Sequence, residues 1–196
     1  VTAPATPAAL ATPDDLTAYL GAPPTNAAQA AWMLDTAAAI VRGYCGWSIT
    51  QEAATWTLDA DGGPMLLVPT LYLDTSTVTV TDNTPATGPV TVDPADYSAS
   101  DIGVLTRRGY PYAWPAAARA VTVSATHGYA TPPREITAVC CAMASRLIAT
   151  AGLGPVSSYR VGGVGAYYRG SEGDTITVPT LEAAVLDQYR ITGGPT

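Results

Sequence analysis

Residues Asn26 to Asp61 read NAAQAAWMLDTAAAIVRGYCGWSITQEAATWTLDAD, and the period of their apolar residues changes part-way along. In the first part Ala30, Met33, Leu34, Ala37 and Val41 stand at i, i+3, i+4, i+7 and i+11. That spacing places them on one face of a helix, and Gln29, Asp35, Thr36 and Arg42 fall off it. It predicts a helix from Asn26 to Arg42, broken by Gly43 and Gly46. In the second part Ala54, Trp56 and Leu58 alternate with Thr55 and Thr57, the two-residue period of a strand with one buried face. A long amphipathic helix running into a strand places the chain in the α+β class.

Upstream, Val1 to Ala11 is almost entirely Ala, Pro and Thr and reads as a flexible tail. With no basic residues followed by an apolar run, Val1 to Leu10 does not read as a secretory signal. Thr12-Pro13-Asp14-Asp15 then opens a short helix carrying Leu16, Tyr19 and Leu20: Thr caps, Pro suits the first turn, and acids suit the positive helix start. Gly21 and Pro23-Pro24 end it. Downstream, Val78/Val80 and Val121/Val123/Ala125 alternate with Thr and Ser, while Leu66 to Val68, Val90 to Val92 and Val104-Leu105 read as further strands. The region from about 50 to 127 is therefore expected as an antiparallel β-module inserted between helices. Ile136, Val139, Cys140, Met143 and Leu147 repeat the helical stripe from Arg134 to about Thr150. Val156 to Val178 reads as a Gly- and Tyr-rich hairpin, and Thr180 caps a short helix from Leu181 to Tyr189. The expected architecture is a small helical core of three main helices plus a short C-terminal helix, with an inserted antiparallel β-module and a C-terminal hairpin. By domain, this gives a tail at 1–11, a core at 12–155 and a C-terminal segment at 156–196.

Composition excludes several classes. The 196 residues are 47% hydrophobic and 13% charged, the reverse of a disordered chain. No stretch reaches the ~20 apolar residues of a membrane span. The net charge is −7, every basic residue is Arg, and too few cations exist for a large phosphate-gripping patch. Acidity still permits a surface past which DNA slides. Three cysteines, two of them the adjacent Cys140 and Cys141, make a poor disulfide framework, so all three are expected as reduced, buried thiols.

Catalytic and metal patterns are weak. His127 is the single histidine, and no Gly-x-Ser-x-Gly elbow or other nucleophile signature accompanies it. It reads as a turn residue between a strand and a helix. There is no Cys-x-x-Cys, His pair or Asp-x-Asp-x-Asp loop. Asp93/Asp96 and Asp14/Asp15 are explained as turn and helix-start acids. Val161-Gly162-Gly163-Val164-Gly165 lacks the Lys and the strand-then-helix setting of a phosphate loop. Two aromatic clusters remain: Tyr110, Tyr112 and Trp114 beside Arg107 and Arg108, and Tyr159, Arg160, Tyr167, Tyr168 and Arg169. These residue types anchor protein interfaces, and they equally cap cores.

The order of elements, with several local patterns, resembles the head–tail adaptor (head-completion or connector) proteins of long-tailed phages, especially those of actinobacterial hosts. Asp14 to Gly21, with Leu16, Leu20 and Gly21, is similar to the family's opening helix. Ala37 to Trp47, with Arg42, Tyr44 and Gly46, is similar to the end of its second helix. Asp96-Tyr97 and Gly103 to Arg107 match its central strands. Val121 to Val123, Thr126-His127-Gly128-Tyr129 and Pro132-Pro133 match the strand and turn before the third helix. Ser157 to Gly163 and Leu186-Asp187-Gln188-Tyr189-Arg190 match its C-terminal part. Val41 before Arg42 and the long Ala/Pro/Thr lead depart from the pattern.

The resemblance implies a non-enzymatic virion protein without cofactor or metal. It would form a homo-oligomeric ring, a dodecamer in the family, between the portal protein and the next connector or tail-terminator. Genome DNA would pass through the extended channel without sequence-specific binding. The location would be the head–tail neck, after assembly in the host cytoplasm and away from any membrane. Interface candidates are Tyr110, Tyr112, Trp114, Tyr159, Arg160, Tyr167, Tyr168, Arg169, Tyr189 and Arg190. Val156 to Thr196 would dock on the portal, and truncation after Ala151 would leave the helical core folded. The rival readings are another phage neck or capsid-decoration protein, and a hydrolase using His127 beside a Ser or Asp.

Overall fold

The computed structural model describes residues 7–108, 112–151, 159–161, 164–166 and 180–191, with the backbone course alone for 151, 159–161, 164–166 and 180. The fold is α+β. Four helices, α1 (Pro13–Leu20), α2 (Ala27–Cys45), α3 (Arg134–Ala151) and α4 (Thr180–Leu186), accompany nine strands among the described residues. The strands are β1 (Glu52–Asp61), β2 (Met65–Leu67), β3 (Thr79–Asp82), β4 (Val90–Thr91), β5 (Tyr97–Ala99), β6 (Val104–Arg107), β7 (Ala116–His127), β8 (Tyr159–Val161) and β9 (Val164–Ala166). The chain divides into two compact units. One holds Val1–Leu10, Arg42–Pro133 and Tyr189–Thr196; the other holds Ala11–Val41 and Arg134–Gln188.

In the helical unit, α1 begins with a reciprocal cap. Asp15 N–H donates to Thr12 Oγ1 at 3.2 Å and Thr12 N–H donates to Asp15 Oδ2 at 2.8 Å. The Thr12 side-chain and backbone hydrogen bonds hold the Asp15 carboxyl below its ordinary pKa. Gly21, at φ 74°, closes the helix. On α2 the stripe Ala30, Met33, Leu34, Ala37 and Val41 is buried as its spacing requires. The helix runs three residues past the expected end at Arg42. Gly43 is tolerated inside it at about 1 kcal/mol, and Gly46, at φ 81°, supplies the left-handed stop. On α3, Ile136, Val139, Cys140 and Met143 are buried, and Arg146 pairs with Glu182 of α4 at 2.7 Å. Leu186 of α4 is fully buried. The helical unit therefore includes α4, far beyond Ala151, and truncation there would remove it.

The β unit is the expected antiparallel β-module, built of two sheets in the orders β1-β7-β3-β4 and β2-β6-β5. β1 pairs with β7 from Glu52↔His127 to Leu58↔Val121 and then shifts register, so that Ala60 faces Ala117. Asp59 Oδ1 accepts from Arg119 N–H at 2.6 Å there, with Arg119 in the left-handed region at φ 53°. The alanine-rich start of β7 was not legible as strand, because alanine favours helix; pairing with β1 overrides that preference. Side chains from both sheets form one core, including Leu66, Val80, Tyr97, Leu105, Trp114, Val121 and Val123. Tyr97 donates its hydroxyl to Val78 O at 3.0 Å; burial, with Asp93 adding, raises its pKa.

Within the lead, among the described residues, Arg42 donates to Ala8 O, and Leu10 is 1% exposed, because it is the one large aliphatic side chain after Val1 there.

Gly128, at φ 89°, lies where a Cβ would strike Thr50 O and approach Gln51 N at 2.9 Å. Gly128→Ala should therefore destabilise the protein by more than about 2 kcal/mol in a denaturant melt. Cys45, Cys140 and Cys141 are all buried free thiols, and burial, with Asp15 adding, pushes the Cys141 thiol up to about 11. A thiol reagent at pH 8 should label none of the three in native protein and all three after denaturation.

Candidate interface of aromatic and arginine side chains

Four separate segments of the β unit meet at the end of β7. Tyr129 N–H donates to Ile49 O at 2.7 Å, Gln51 N–H to Tyr129 O at 3.0 Å, and Gly128 N–H to Tyr72 O at 2.8 Å. The C-terminal segment is tied in by two more bonds. Ile191 N–H donates to Cys45 O at 3.0 Å, and Trp47 Nε1–H donates to Tyr189 O at 2.7 Å. These links bring together residues that are more than a hundred positions apart in sequence.

The rings at this junction form a connected series. Trp56 meets His127 edge-on at 4.8 Å, and Trp47 lies 6.3 Å from His127 and 6.1 Å from Tyr129. Tyr129 stacks on Tyr72 at 4.6 Å and meets Tyr189 edge-on at 6.4 Å. Arg190 lies over Tyr44 at 5.1 Å. The series passes from buried to open: Trp47 is 6% exposed, Tyr129 and Tyr189 are half-buried, and Tyr72 is 45% exposed. Rings held by neighbours at one end and open at the other lose little conformational freedom on binding, which suits an interface anchor.

His127 ends β7 inside this cluster and is 3% exposed, so it is a core residue rather than the expected turn residue. Its Nε2 lies 3.4 Å from Glu52 Oε1 and its Nδ1 3.2 Å from Thr70 Oγ1. The Thr70 hydroxyl donates to Tyr72 O at 3.1 Å and its oxygen accepts from Tyr72 N–H at 3.2 Å, so a tied-down Thr70 and Glu52 bracket the His127 ring, one at each nitrogen. A hydroxyl, an imidazole and a carboxylate in line have the parts of a hydrolytic triad. Thr70 is only 1% exposed, however, so no substrate carbonyl reaches its hydroxyl. The arrangement is a core network that turns the ring toward Trp56, and among the described residues the partners of His127 are Thr70 and Glu52 rather than the expected Ser or Asp.

Tyr44, Trp47, Tyr129, Tyr189 and Arg190 thus belong to one place. Arg42 supports it by donating Nε–H to Ser48 O at 3.1 Å, and Gly46 lets the chain turn there. Leu16 is buried, while Leu20 is 42% exposed in the helical unit. Tyr112 is 69% exposed. Trp114 is instead 3% exposed, with Arg107 over its ring at 5.5 Å; the core consumes it, and it offers no surface to a partner. Tyr159 and Arg160 lie on β8, whereas Tyr110, Tyr167, Tyr168 and Arg169 fall outside the described residues. Tyr72, Thr70 and Glu52 were not singled out from sequence. Their signal is conformational, since β1 and the 70–73 segment flank β7, and no local motif marks it.

No family model matches the chain, and no curated protein matches it. Solved structures do. The chain is similar to one in the neck of an empty GTA particle computed with C6 symmetry, with TM-score 0.61 and 18% identity, over 99% of this chain and 96% of that one. The fold is shared with proteins of gene transfer agent particles. A chain of the virion of a native gene transfer agent particle matches with TM-score 0.57 and 15% identity, over 99% and 96% of the two chains. A chain in the neck of the native particle, computed with C12 symmetry, matches with TM-score 0.51 and 15% identity, over 83% and 84%.

Burial lowers the pKa of His127 below the ordinary histidine value, and Glu52 opposes that only in part. The unfolded chain therefore binds a proton that the folded chain refuses, and stability falls as pH drops through and below about 6.5. Melting temperatures from pH 8 to 5 should decline, and His127→Gln should flatten that decline. An equal decline in the variant would assign the effect to other groups.

Proposed function

We propose that this chain is a non-enzymatic structural protein of the neck of a phage-like particle, an adaptor that forms a ring between the portal at the capsid vertex and the tail. The observation that carries this reading is the end-to-end likeness to a neck chain, over 99% of this chain and 96% of that one. The sequence motifs shared with long-tailed phage adaptors support the same position and a dodecameric ring. Fold alone does not assign function, so the reading also rests on the local surface. An assembly subunit needs rigid anchors on its outside, and the Tyr72–Tyr129–Tyr189 series with Arg190 and Tyr44 provides them.

In this reading, assembly is the mechanism. Each copy contacts two neighbours through different surfaces, and the repeated contact closes a ring. The chain's net charge of −7 suits a channel wall that DNA passes without adhering. The portal protein and the next connector or tail-terminator are the proposed partners, and the proposed site of assembly is the host cytoplasm. The C-terminal segment, tied to the aromatic cluster by Tyr189 and Ile191, is the proposed portal-docking element.

Light scattering of the purified protein, with and without the portal of the same genome, tests the proposal. A ring alone, or a monomer that becomes a ring on the portal, is the expected result. A stable monomer that ignores the portal would favour a decoration protein instead. Tyr72→Ser and Arg190→Ser should each weaken portal binding at least tenfold, a loss of about 1.4 kcal/mol, while leaving the melting temperature near that of the parent.

A further inference from the structure

Strand β2 is an edge strand, and its hydrogen-bond parity shows which groups it leaves open. Arg107 N–H donates to Pro64 O and Val68 N–H to Gly103 O, both at 2.8 Å. Pro64, Leu66 and Val68 therefore face β6, and Leu66 pairs with Leu105. In an antiparallel ladder the intervening residues turn their N–H and C=O groups the other way. Those residues are Met65 and Leu67, and among the described residues no strand lies on that side of β2. Their side chains are also open, at 57% and 66% exposure, and Ile102 in the β5–β6 turn is 58% exposed. An edge with free backbone groups and apolar side chains is a template for an added strand.

The chain also carries a strand pair that lacks a third strand. Among the described residues, β8 and β9 pair only with each other, from Tyr159↔Ala166 to Val161↔Val164. A two-stranded hairpin of such length is marginal in water and gains stability from one more strand. The residue types are compatible as well: the hairpin sequence from Tyr159 to Ala166 holds Arg160 and no acid, whereas exposed acids stand in sequence just before β2, at Asp61, and in the β5–β6 turn, at Asp101.

We infer that the β8–β9 hairpin of one copy adds to the β2 edge of a second copy, pairing with the backbone of Met65 and Leu67. Among the described residues the two belong to different sheets, and the inference assigns their pairing to two copies. Donor hairpin and acceptor edge are different surfaces, which makes the contact heterologous and able to propagate around a ring. The inference rests on the ring reading and assigns the contact that closes it.

Two full-length variants test it. Leu67→Pro removes the outward N–H and leaves the β6 pairing intact, as proline is accepted on an edge. Arg160→Pro/Gly165→Pro breaks the hairpin. Sedimentation at up to about 1 mM protein should show association of the parent and monomer mass for each variant alone. A mixture of the two should give a dimer and nothing larger, because only one productive contact remains. Met65→Asp/Leu67→Asp serves as the edge variant if Leu67→Pro lowers the melting temperature. Variants that associate like the parent, or a mixture that stays monomeric beside an associating parent, overturn the strand pairing. If both variants form the parent's ring on the portal, the pairing fails and the ring reading stands. A parent that never associates, even with the portal, removes both.

Discussion

One close crossing of two backbones organises the β unit. Gly128 passes Thr50 so tightly that no side chain fits, and its left-handed conformation lets the chain leave β7 and lie along residues 49–51. The bonds from Tyr129 to Ile49 and from Gln51 to Tyr129 follow from that approach. They hold the segment after α2 against the end of β7, while the bonds from Ile191 to Cys45 O and from Trp47 to Tyr189 O add the C-terminal residues. A larger residue at 128 would separate the strands before it disturbed any ring.

The histidine at the same place is handled by pairing rather than by exposure. His127 is buried between Glu52 and Thr70, with Trp56 at its edge. Burial favours the neutral ring, so the core accepts a histidine without a buried charge and uses it as packing between Trp47 and Trp56. Arg107 over Trp114 shows the complementary case, a cation kept against a buried ring in the second sheet.

A subunit built this way suits an assembly role. The rigid junction presents Tyr72 and Arg190 outward, while the second sheet ends in an open strand. These are separate surfaces of one unit, one rich in rings and one offering backbone. In the proposed reading they would serve different contacts, the rings the portal and the open strand the hairpin of a neighbouring copy.

Much of the fold was legible from local sequence. The stripes of α2 and α3, the Thr12 and Gly21 caps, the alternation along β1 and the buried thiols all follow from periodicity and side-chain chemistry acting within a few residues. Tertiary structure decided the rest. The alanines that open β7 became strand only because β1 lies beside them, and Trp114 went to the core only because the two sheets enclose it. Leu10, at the end of a lead that reads as a tail, was buried because it had an apolar surface to remove from water. The aromatic site was half legible: Tyr44, Tyr129, Tyr189 and Arg190 stood out in the motifs, but Tyr72, Thr70 and Glu52 did not. What unites them is long-range backbone pairing. A sequence states periodicity and capping directly, because these act between near neighbours. It does not state which distant segments share a hydrogen bond, because that depends on the whole chain having folded.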